Sequence, residues 1–126
     1  MNRQALHGMA DITRMILDKE LSQLRALSDG ASALADRIAT LDAEKARLLA
    51  SAQDGNAAEQ IGAWLTWARR ERAALSRALA DLRSKQERQR KSAQRAFGRA
   101  DVLEQLGATL KADERQQAQR RANEGR

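Results

Sequence analysis

Two runs of apolar residues, each spaced like one seam of a coiled coil, mirror one another about a single break and leave this 126-residue chain few ways to fold. The first run is Leu17, Leu24, Leu27, Ala31, Leu34, Ile38, Leu41 and Leu48, interrupted by Lys45. The second is Ile61, Leu65, Ala68, Leu75, Leu79, Leu82, Ala93, Ala96, Ala100, Leu103, Gly107 and Leu110, with Arg72, Gln86 and Gln89 at seam positions in between. Steps of three and four put such residues on one stripe of an α-helix, which buries itself against a matching stripe. The break is Ser51-Ala52-Gln53-Asp54-Gly55-Asn56. Gly55 suits the left-handed residue that ends a helix, and Asn56 with Glu59 three positions on reads as a capping box that opens the next.

A chain folded back there pairs Leu48 with Ile61, Leu41 with Ala68, Leu34 with Leu75, Ala31 with Leu79, Leu27 with Leu82, Leu17 with Ala93 and Leu6 with Leu103. In every pair the residue numbers add to 109 or 110, the near-constant that an antiparallel register demands. The expected fold is all-α: one domain over 1–126, a long two-helix antiparallel coiled-coil hairpin. Its helices run over about 3–52 and 57–121, with the turn near 53–56. Ser28-Asp29-Gly30 is a candidate kink, and Gly8, Gly62, Gly98 and Gly107 are points of local fraying, each costing about 1 kcal/mol relative to Ala. Residues 111–126 outrun any partner on the first helix and are expected to fray.

Composition narrows the picture further. The chain has no Pro and only 2% aromatic residues, so it favours helix throughout and can fill a narrow seam but not a broad core. A seam rich in Ala, Gln and Gly buries little apolar area, so a second copy or another partner is expected to add stability. Without Cys there is neither a disulfide framework nor a thiolate metal site. Arg3, His7, Asp11 and Arg14 interrupt the apolar residues of the first sixteen positions, and no stretch approaches the roughly 20 apolar residues of a membrane span. The expectation is a cytoplasmic protein without membrane insertion.

No catalytic constellation is present, and no enzyme activity or cofactor is expected. His7 stands alone, no Gly-rich phosphate loop occurs, and Asp42 and Glu44 point to different sides of a helix. Charge is more informative. Residues 1–60 carry a net −2 and residues 61–126 a net +8, with the excess concentrated between Arg69 and Arg99. This band, which includes Arg69, Arg88, Arg95 and Arg99, would attract acidic protein surfaces or phosphates. With no nucleic-acid motif and no aromatic stacking platform beside it, nucleic acid ranks below protein. Trp64 takes a position that leans over the seam, whereas Trp67 falls on the solvent side as a candidate contact, the alternative being that both cap the end of the hairpin. Arg72, Gln86 and Gln89 weaken the seam but fix its register, and their plainest reading is long side chains reaching out to water.

The stretch Ala63-Trp64-Leu65-Thr66-Trp67-Ala68-Arg69-Arg70-Glu71-Arg72, followed through the basic run by Arg95-Ala96-Phe97-Gly98-Arg99-Ala100-Asp101-Val102-Leu103-Glu104-Gln105-Leu106, resembles the FliJ/YscO family. These are small antiparallel coiled coils of flagellar and type III protein export machines. Its most particular piece is Leu103-Glu104-Gln105-Leu106; the Tyr residues common on the family's first helix are missing here. The resemblance implies a central stalk, similar to the γ stalk of a rotary ATPase, that docks in the export ATPase hexamer, touches the export-gate protein and handles export chaperones. It would sit in the cytoplasm, peripheral to a membrane-bound export apparatus. On that reading Arg95, Arg99 and Leu103 enter the ATPase ring, while Trp64 and Trp67 are exposed at the distal turn. The alternatives are a structural or adaptor coiled coil, as a homodimer or with another protein, and a basic nucleic-acid-associated protein.

Overall fold

The computed structural model describes residues 2–51 and 58–125. They form two helices, α1 over Arg3–Ser51 and α2 over Ala58–Glu124, that pack against each other, with no strand among the described residues. The expected turn at 53–56, with Gly55 and Asn56, lies outside the described residues. The start of α1 has a cap that the sequence reading passed over. The Asn2 side-chain oxygen accepts the Ala5 N–H at 2.7 Å and its backbone carbonyl accepts the Leu6 N–H at 3.1 Å, satisfying donors that a helix start leaves orphaned. At the other end Gly125, in a turn, donates its N–H to the Arg121 carbonyl at 3.1 Å.

α1 passes through Ser28-Asp29-Gly30 unbroken, and α2 continues to Glu124, past the expected end near 121. Gly30 has a packing reason to be in a helix: a Cβ there would lie 3.3 Å from the Leu82 Cδ1, so glycine makes room for a leucine of α2. Gly8, Gly62, Gly98 and Gly107 are helical too.

The chain divides into two compact units. In the central unit, Arg25–Arg88, Leu41, Ala68 and Leu75 form a buried cluster against which Leu34, Ile38 and Trp64 pack, so Leu41 keeps company with Ala68 and Leu34 with Leu75 as the register requires. Ala31 and Leu79 are buried as well. Fully burying a leucine is worth about 1.5–3 kcal/mol, so this cluster is the main apolar stabilisation of the unit. Polar links run between its helices as well. Arg72 forks onto both carboxylate oxygens of Asp42 at 2.9 and 3.2 Å, Arg37 reaches Glu71 at 3.3 Å, and the Gln86 amide donates to the Ser28 hydroxyl at 2.9 Å.

The terminal unit, Met1–Leu24 with Gln89–Arg126, is built differently. Among its described residues the buried ones are Leu6, Ala93, Ala96 and Ala100, so three of those four are alanines. Arg14 bonds Glu104, Arg3 pairs with Glu114 at 3.2 Å, and the Gln89 amide donates to both the backbone carbonyl of Glu20, at 2.9 Å, and its carboxylate. Partner numbers rise on α2 as they fall on α1 in each unit, which makes the pairing antiparallel in both.

Candidate partner-binding surfaces

The two tryptophans separate as their helix positions require. Trp64 is half-buried and packs on the Leu41, Ala68 and Leu75 cluster, whereas Trp67 keeps 51% of its surface exposed. Their ring centroids are 6.2 Å apart and the planes tilted by 51°, so Trp64, fixed by the core, supports Trp67 from one side. Trp67 also walls a shallow groove of ~330 Å³ shared with Asp36, Glu44 and Glu71. Arg69 and Arg88 of the same unit are exposed and, among the described residues, take no ion pair.

Arg72 behaves otherwise. From a seam position it turns outward onto Asp42, and that hydrogen bond, with help from the Arg72 and Lys45 charges against an opposing desolvation, holds the Asp42 carboxyl below its ordinary value. The same bond raises the Arg72 guanidinium above its own. The two glutamines do not reach out to water. Gln86 and Gln89 are half-buried and bond across to Ser28 and Glu20 respectively, each within its own unit.

In the terminal unit Arg95 and Arg99 are exposed and without an ion pair among the described residues, while Leu103 is half-buried on the seam. Leu103 lines an open groove of ~770 Å³ with Leu6, Ala10, Gly107 and Leu110, rimmed by Arg3, Arg14 and Lys111. Gly107 occupies a seam position on its wall, where a Cβ would meet nothing within 4 Å. His7 stands at its edge, 3.9 Å from Asp11 and well exposed.

The sequence reading missed one feature of this unit. Met9, Ile12, Met15, Ile16, Leu21, Phe97, Val102 and Leu106 all leave much of their surface in water. In the central unit only Leu49 and Trp67, among the described large apolar residues, do so. A signal was present, since Met9, Ile12 and Ile16 follow the seam spacing one residue out of step with it.

No cluster of three or more His, Cys, Asp or Glu side chains among the described residues could hold a metal ion. No helix among them is long and apolar enough to cross a membrane. Compared with protein-family models, curated proteins and solved structures, the chain matches none.

Proposed function

We propose that this helical hairpin works by docking to other proteins, as a non-enzymatic, central-stalk-like component of a flagellar or type III protein export apparatus in the cytoplasm. The observation that carries the docking part is the combination, in one unit, of Arg95 and Arg99 without counter-charges and a set of large apolar side chains left in solvent. Exposed apolar surface beside unneutralised cations is what a protein contact would use and what a free-standing coiled coil would avoid. The export assignment rests on the resemblance at Trp64–Arg72 and Arg95–Leu106 to the FliJ/YscO family. Its partners would be the export ATPase hexamer and the export-gate protein or chaperones, met through Trp64, Trp67, Arg69, Arg88, Arg95, Arg99 and Leu103.

The test is to mix the purified chain with its cognate export ATPase and follow hexamer formation and ATP turnover. Stimulated turnover and a complex on sedimentation are expected; the absence of both would remove the export reading.

A structural or adaptor coiled coil unconnected with secretion is the second reading, favoured by the same exposed apolar residues. Neighbouring genes separate the two, because an adjacent export ATPase supports the first. Nucleic-acid binding ranks third. It requires affinity for a random duplex that falls steeply with salt as phosphates are neutralised.

A further inference from the structure

The seam residues of the terminal unit include Leu6, Ala10, Thr13 and Leu17 on α1 and Ala96, Ala100, Leu103 and Gly107 on α2, each set stepping by four, three and four. One residue before each runs a second row with the same steps: Ala5, Met9, Ile12 and Ile16 on α1, and Arg95, Arg99, Val102 and Leu106 on α2. All eight are exposed. In an antiparallel pair the rows one residue after the seam share one flank and the rows one residue before it share the other. Arg14 and Glu104, each one residue after a seam position, bond to each other and mark the first flank. The second rows therefore lie together on the opposite flank, as Arg37 and Glu71, each one residue before the seam, do where they pair in the central unit.

We propose that this flank of the terminal unit is the seat of a third helix, supplied by a partner protein as an amphipathic α-helix with acidic side chains along one edge. Seam spacing on both walls is the complement of another helix, because knobs from a rod-like partner fill holes repeating at that interval. Met9, Ile12, Ile16, Val102 and Leu106 provide the apolar floor. Arg95 and Arg99 occupy the end of the α2 row, so the partner's carboxylates belong opposite them. From Ala5 to Ile16 the floor is about three helical turns long. A second copy of this chain fits poorly. Neither row contains a carboxylate, so two such faces together would leave four arginines without counter-charge. The inference rests on the docking part of the proposed function alone.

The probe is a synthetic helix of about 24 residues, long enough to be helical on binding, with Leu at steps of four and three and Glu on both flanks; an isomer carries Lys in place of Glu. Fluorescence anisotropy of each labelled peptide is titrated with the full chain. The Glu peptide is expected to bind at least about tenfold more tightly than the Lys peptide. Ile12→Asp, on an exposed position that leaves the hairpin folded by circular dichroism, should weaken the Glu peptide by about tenfold or more. Arg95→Glu with Arg99→Glu should invert the preference between the peptides, and Arg25→Glu with Arg47→Glu, at exposed positions of the central unit, should leave it unchanged.

Equal binding of both peptides, no binding at all, or indifference to Ile12→Asp would overturn the proposal. So would a dimer of the chain that Ile12→Asp splits, which would assign the flank to a second copy, or tighter binding to phosphatidylglycerol vesicles than to the peptide. No export ATPase enters these titrations, so their failure and the failure of the export reading are separate results.

Discussion

The central unit puts its large apolar side chains inside and the terminal unit puts most of its own outside. Around Leu41, Ala68 and Leu75 the hairpin packs leucine, isoleucine and tryptophan, whereas Ala93, Ala96 and Ala100 fill the terminal seam and Met9, Ile12, Ile16, Val102 and Leu106 face water. Each buried CH2 or CH3 contributes about 0.8 kcal/mol, so an alanine seam holds its helices more weakly per layer than a leucine seam. What the terminal unit leaves out of its seam stays in solvent as apolar surface. One helical pair thus carries a self-sufficient segment and an unfinished one.

The largest expected effect is on the self-sufficient segment. Leu41→Ala removes a nearly buried leucine from the cluster and should cost about 2–4 kcal/mol in urea unfolding followed by circular dichroism. A loss well under 1 kcal/mol would show that the central cluster does not dominate. In the terminal seam the matching insult is enlargement: Ala96, the most buried of the described residues, has no room for three more side-chain heavy atoms, and Ala96→Leu should destabilise by about 1–3 kcal/mol.

The glycines sharpen the contrast on a smaller scale. Gly107→Ala should stabilise by up to about 1 kcal/mol, since helix propensity improves and the new methyl meets nothing. Gly30→Ala should gain less or lose, because its methyl presses on the Leu82 Cδ1. Equal gains at both sites would contradict the difference in packing.

The smallest effect is electrostatic. Asp42 titrates lower in the folded chain than in the unfolded one, where its pKa is about 3.9. Its contribution is therefore present above that value and lost as pH falls through the folded pKa. The stability advantage of the wild type over Asp42→Asn, small because the pair is solvent-exposed, should disappear on acidification below about pH 4 and be unchanged from pH 6 to 8.

The hairpin was legible in the sequence because its information is periodic and duplicated: Leu34 and Leu75, or Leu41 and Ala68, predict each other from either helix. The difference in burial between Trp64 and Trp67 was legible for the same reason, since of two residues three apart on one side of the helix the first stands nearer the seam. Less legible was anything set by a partner that no side-chain pattern displays. Gln89 reads as a residue turned to water until its acceptor is known to be the backbone carbonyl of Glu20. The packing reason for a glycine at position 30 is hidden in the same way until Leu82 is found against it. The exposed rows at Met9 and Val102 went unnoticed because one stripe had already accounted for each helix, and a second stripe beside it adds to the first without disturbing its period.

The Gln89 bond also bears on how the chain finds its alignment. Alanines are nearly interchangeable knobs, so Ala100 would accept the hole of Ala93 if α2 slid along α1 by a heptad. Gln89 would not, because such a slip carries its amide about 10 Å from both acceptors on Glu20. The Gln89 amide therefore acts as one detent against that slide.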